Sequence, residues 1–280
     1  MDVQLGLPLH PSDDHRVPAA MARSSLAPAT LLRAAKHACQ DARDGRLDEA
    51  SLRELADAGE ALAVAACAQV FLFRGKHTDA TVYAARYLRA PSPKATSHLY
   101  RDMCTLLRSW GDEALLAETA RAVEPRTDYA HILEACLCTD RYERELFDRA
   151  TAGPCPDARQ RFAAALADAD GRRALARGSE ARFRYEIELA WTFSLDDELL
   201  ERYRAHPERF RWSDRLEVAF AWLRRGEPME AVDVLDSDPR RWCVLDAGQV
   251  VPVELATHPV LKPLWTPARA ARWLASPRGP

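Results

Sequence analysis

What this chain has little of narrows it before any motif is sought. Lysine is scarce: of 39 basic residues only four are lysine, Lys36, Lys76, Lys94 and Lys262. The arginine excess travels with abundant alanine, as in a GC-rich, bacterial coding sequence, and so is not counted as a sign of phosphate binding. Glycine is held to 11 residues, and nowhere do they gather into a phosphate-cradling loop or a dinucleotide fingerprint. The zinc-protease helix motif and the nucleophile elbow are missing as well. No apolar run approaches the roughly 20 residues of a membrane-crossing helix, which excludes a helical span. No run of four residues alternates between apolar and polar, so no sheet is expected beyond a short extended piece at Val250-Val251.

Charge and cysteine exclude more. The net charge of −3 and isoelectric point near 6.3 argue against a protein built to seek nucleic acid. The seven cysteines are odd in number and scattered, mostly within apolar stretches. That pattern suits buried free thiols in a reducing, cytoplasmic setting rather than a disulfide framework. Residues 1–25 carry Asp2, Asp13 and Asp14 and have no apolar core, so they are expected to be a mobile leader and not a secretory signal.

What is present is helical periodicity. Apolar stripes at a spacing of three and four predict helices over 28–43, 48–58, 61–73, 78–88, 94–109 and 112–123. More follow over 128–138, 140–150, 157–169, 179–193, 195–205, 214–225 and 229–235. Ser92-Pro93 and Thr266-Pro267 read as a capping residue followed by proline in the first helical turn. Ser194 and Ser213 are expected to cap the helices that follow them. The proline-bounded stretch 153–156 is the best candidate for a joint within the helical domain, 26–239. Residues 240–280 hold six prolines and are expected to form a cap over the last hairpin, closed by a short helix that turns Trp273 and Leu274 inward.

One stretch sets the pattern. In 61–73 only Gln69 is polar, and the chain then reverses at Arg74-Gly75. Ala68, Phe71, Gly75 and Ala80 follow at offsets of three, four and five, and Ala219, Trp222, Gly226 and Ala231 repeat them. Small residues let two helices approach, the aromatic wedges between them, and glycine permits the tight reversal. This pattern resembles the tetratricopeptide repeat, a helix-turn-helix unit of about 34 residues. The resemblance implies an all-α, right-handed superhelical array of helical hairpins, an α-solenoid with a concave binding face.

Several residue groups could carry chemistry, and most are better read as structural. His131, Cys136 and Cys138 do not share one helical face, so no metal site is expected. The acid pairs Asp168/Asp170, Asp196/Asp197 and Asp236/Asp238 lie at helix ends, where carboxylates serve orphan N–H groups. Nothing beside Cys155 in sequence would activate it as a nucleophile. No catalytic residue and no cofactor is expected. Within the resemblance, His98, Arg101, Thr105 and Arg108 would line the concave face, with Gln69 marking where that face surfaces. A cationic stripe in a groove suits an acidic peptide or a terminal carboxylate. The expected function is therefore non-enzymatic binding of a protein or peptide partner, as an adaptor, chaperone or regulator. The alternative is nucleic-acid or phosphate binding by the basic cluster Arg172, Arg173, Arg177, Arg182 and Arg184.

Overall fold

The computed structural model describes residues 27–90, 98–123, 148, 151, 153, 155–242 and 244–278. The expectations for the leader at 1–25, the cap at Ser92-Pro93, the helices over 128–138 and 140–150, and the trio His131, Cys136 and Cys138 lie outside the described residues. Among the described residues the protein is all-α, with no strand. The helices are α1 (Pro28–Arg43), α2 (Glu49–Asp57), α3 (Ala61–Phe73), α4 (His77–Arg89), α5 (His98–Trp110) and α6 (Glu113–Val123). Then come α7 (Ala158–Ala167), α8 (Ala169–Ala176), α9 (Ser179–Thr192), α10 (Asp196–Ala205), α11 (Trp212–Arg224), α12 (Pro228–Asp236), α13 (Glu254–Thr257) and α14 (Pro267–Ala275). None of these helices is long and apolar enough to cross a membrane.

From α1 to α5 each helix packs on the next, and alternate helices also touch: α1 on α3, α3 on α5, α4 on α6. The apolarity of α3 follows from this sandwiching, since every residue from Ala63 to Phe73 is buried. The wedge foreseen at Phe71 is there, its ring meeting that of Tyr83 edge-on at 5.3 Å across the α3–α4 pair. Gly75 and Gly226 both have positive φ at the reversals that follow these helices. Asp48 accepts the Ser51 amide at 3.1 Å and Glu60 that of Ala63 at 3.1 Å, starting α2 and α3.

Two expected caps are corrected. Ser194 does not cap α10; its φ of 52° puts it in the left-handed region at the end of α9. Nor does Ser213 start α11, which begins one residue earlier, where the Asp214 carboxylate accepts the Arg211 amide at 2.8 Å. An unforeseen helix, α8, opens with Asp168 accepting the Asp170 and Gly171 amides, one of the helix-end roles expected for these acids.

Apolar burial divides into two clusters that meet at α11. The larger runs through α1–α5, the α11–α12 pair and the C-terminal segment; the smaller joins Phe183, Ile187, Leu199, Leu200, Phe210 and Val218. Alternate faces of α11 serve the two, Ala219 and Phe220 one way and Val218 and Ala221 the other.

The C-terminal segment, residues 244–278, reaches well beyond the last hairpin. At one end Asp236 of α12 accepts the Trp273 indole N–H at 2.8 Å and pairs with Arg269 and Arg272. From there the segment lies back against the beginning of the chain. Arg43 donates to the Ala247 and Gln249 carbonyls at 3.0 and 2.9 Å, and the Arg278 amide donates to the Arg43 carbonyl at 2.7 Å. The Ser109 hydroxyl and Trp110 indole donate to Thr257 and Ala256 at 2.9 Å each, and Lys262 donates to the Ser109 carbonyl at 2.8 Å. Thr266 caps α14 as foreseen, through the Arg269 amide at 3.3 Å.

Close approach is built into two glycines. A Cβ on Gly248 would lie 2.5 Å from Leu99 Cδ2, and one on Gly45, whose φ is +79°, would lie 2.6 Å from the Ala275 carbonyl oxygen. Val250, Val251, Val253, Leu255 and Trp273 are all at most 1% exposed. At about 1.5–3 kcal/mol for each such side chain, peeling these five away would cost about 7.5–15 kcal/mol, comparable to the about 5–15 kcal/mol that holds a typical domain together. The segment is core, not a detachable strap.

Candidate functional site

Gln69 sits at the centre of this closure, and its position overturns one expectation. It is fully buried, not a marker of an exposed concave face. Its amide group donates to the Ala65 and Gly248 carbonyls at 3.1 and 2.9 Å and accepts from the Val250 and Val251 amides at 2.8 and 3.3 Å. A carboxamide, donor and acceptor at once, is the neutral side chain that can serve an extended backbone in this way. The polar break in an apolar helix therefore marks where the chain receives its own tail.

Beside that filled stretch, among the described residues, a cleft lies between α5, the start of α11 and the tail. Its volume is about 480 Å³, and His98, Arg101 and Thr105 line it, along with Trp212, Leu216 and Glu254. Three of the four stripe residues thus line one cleft; Arg108 does not. Leu245, 58% exposed, stands at its edge, and Arg101 and Arg211 are exposed at its rim.

The deeper part of the cleft carries the opposite charge. Asp102 of α5 and Glu254 of α13 are both half-buried and both line it. Gln249 Nε2 donates to Asp102 Oδ2 at 2.6 Å, and the Trp212 indole N–H donates to Glu254 Oε1 at 2.8 Å. Burial pushes the Asp102 carboxyl up to about 7, reinforced by the negative charge of Glu254 and opposed by the Gln249 hydrogen bond and Arg101. Burial likewise raises the Glu254 carboxyl, against the Trp212 hydrogen bond.

Asp102 was findable from the sequence. It lies four residues after His98 and three before Thr105, within the very stripe that singled those residues out. Glu254 was not, because it arrives from the tail, more than a hundred residues away, with no periodic signal of its own.

The other candidate groups carry less. Arg173 pairs with Asp170, Arg182 meets Glu186 at 2.6 Å, and Arg184 bridges Glu180 at 3.0 Å and Asp214 at 2.6 Å. Arg172 Nε donates to the Asp168 carbonyl at 3.2 Å. Of the five-arginine cluster, then, Arg177 stands as the member with the weakest local ties, and the group is a paired surface more than a phosphate cradle. Burial pushes the Cys39 and Cys67 thiols up to about 12, which keeps them protonated and unreactive. No group of three metal-ligating side chains converges among the described residues.

No family model, curated protein or solved structure matches this chain.

Proposed function

We propose that this is a non-enzymatic binding module, an adaptor, chaperone or regulator that holds a segment of a partner protein in the α5–α11 cleft. In this reading its helices form a tetratricopeptide-like superhelical array whose binding face is partly filled by its own tail. The observation that carries it is the convergence of His98, Arg101 and Thr105 on a cleft beside the exposed Leu245. A volume of about 480 Å³ falls within the about 300–1,000 Å³ of ordinary ligand pockets, enough for a few side chains of a segment and far less than a groove-long helix.

The exposed cations at the rim supply orientation and speed of encounter, and the apolar wall supplies affinity. Binding would occur in the cytoplasm, and no cofactor enters it. Hydrogen-exchange footprinting of a bound peptide tests the reading: protection should fall on His98–Trp110 and on 244–254.

A further inference from the structure

We propose that the cleft takes its partner segment through a lysine side chain, whose ammonium group sits between Asp102 and Glu254 while an acidic neighbour in the segment meets Arg101 and Arg211. This rests on the cleft being the binding site and specifies what it selects.

Three of the chain's other deep-set acids are met by arginine. Glu186 is met by Arg182 at 2.6 Å and Arg202 at 2.7 Å, Asp196 by Arg224, and Asp236 by Arg269 and Arg272. In an arginine-rich protein that is the expected solution, because a carboxylate removed from water needs a counter-charge. Asp102 and Glu254 instead have neutral partners, an amide and an indole. Neither forms an ion pair among the described residues, although both open onto a cavity. The counter-charge they lack is one the cavity can admit.

The geometry selects among cations. Each carboxylate already has one oxygen occupied, and the two come from different elements, α5 and α13. A guanidinium prefers both oxygens of one carboxylate in a fork, whereas an ammonium is a compact charge with three donors that can reach one open oxygen on each. A divalent metal would find only these two carboxylates, short of the six to eight oxygens calcium takes. The walls, Trp212 and Leu216, offer apolar surface along which the methylene stem of a lysine can lie.

Binding is linked to protons. At neutral pH the pair holds part of its charge back as bound hydrogen, and an entering ammonium displaces it, so affinity rises as pH increases through about 7. The other charged groups facing the pair are Asp246, Arg101 and Arg211, with the imidazoles of His98 and His258 on the cleft wall. These neighbours make the Asp102→Asn variant necessary to assign the effect.

The experiment is calorimetric titration of the full chain with an acetylated, amidated Gly-Gly-Lys-Gly-Glu-Gly-Gly peptide, its glutamine-for-lysine counterpart, and n-butylamine. The lysine peptide should bind at least tenfold more tightly than the glutamine peptide at pH 7.5, and that ratio should shrink towards one at pH 5.5. Asp102→Asn, which keeps the hydrogen bond from Gln249, and Glu254→Gln should each erase most of the preference without changing helicity or melting cooperativity. Equal binding of the two peptides, both blocked by Thr105→Trp, would overturn the ammonium assignment and leave the cleft reading standing. Butylamine binding as tightly as the lysine peptide would overturn the choice of a peptide over a free amine. No binding by any of the three would overturn the inference, and a footprint elsewhere for an independently selected peptide would overturn the cleft itself.

Discussion

The side chain of Gln69 holds the backbone around Gly248, donating to its carbonyl at 2.9 Å while accepting the Val250 amide at 2.8 Å. One polar residue in the most apolar helix thereby fixes a segment that is distant in sequence, and it explains why the helical face is closed where it was expected to open. Replacing Gln69 with leucine should leave the Gly248 carbonyl and the Val250 and Val251 amides buried without a partner. At about 1–3 kcal/mol for each of the three orphaned groups, a loss of about 3–9 kcal/mol is expected in urea denaturation. Hydrogen exchange should speed up at Val250 and Val251 before the rest of the chain responds.

Gly45 and Gly75 share a positive φ but differ in what surrounds them, with the Ala275 carbonyl crowding the first and open space beside the second. Gly75→Ala should therefore cost only the left-handed backbone penalty of about 1–2 kcal/mol. Gly45→Ala should cost clearly more, because the added methyl pushes on the end of α14. Paired thermal melts check this; equal losses would show that the tail does not press on the α1–α2 turn.

Asp102 predicts a pH dependence of definite sign. Its carboxyl stands near 7 in the folded protein, raised by burial, against about 3.9 in an unfolded chain. Between those values the folded state binds the extra proton, so stability falls as pH rises from about 4 to 7 and remains low above that. The full shift would correspond to about 4 kcal/mol; the carboxylate is half-buried and partly solvated, so a loss of about 1–3 kcal/mol is expected. Asp102→Asn should flatten part of the curve and raise the melting temperature at pH 8. Glu254 contributes a loss of the same sign.

The paired arginines on α8 and α9 make a further prediction. Fluorescence anisotropy with a labelled single-stranded oligonucleotide should show no binding above a weak, salt-erased background, even at low ionic strength. Binding with a steep salt slope that Arg177→Glu abolishes would revive the phosphate reading.

Local structure was largely legible in the sequence. The spans of α1 and α3, the reversals at Gly75 and Gly226, the wedge at Phe71 and the Thr266-Pro267 start of α14 all follow from short-range rules: periodicity, capping and turn chemistry. What escaped was long-range. Gln69 was visible as an anomaly, but whether a lone polar residue faces solvent or a buried backbone depends on what packs over it, and that partner lies near residue 248. Asp236 looked like a helix-end acid, and its three partners from α14 could not be paired from spacing. The cleft was half legible for the same reason: α5 supplies His98, Arg101, Asp102 and Thr105 with helical regularity, while Glu254 comes from an irregular tail.

The most direct test is the hydrogen-exchange footprint of a peptide selected from a random displayed library for binding to the full chain. Protection should appear over His98–Trp110 and 244–254, and Thr105→Trp, which fills the cleft from a partly exposed position, should abolish both the binding and the protection. Protection confined to α8 and α9, or to the exposed face of α4 around Val82, with binding indifferent to Thr105→Trp, would contradict the account.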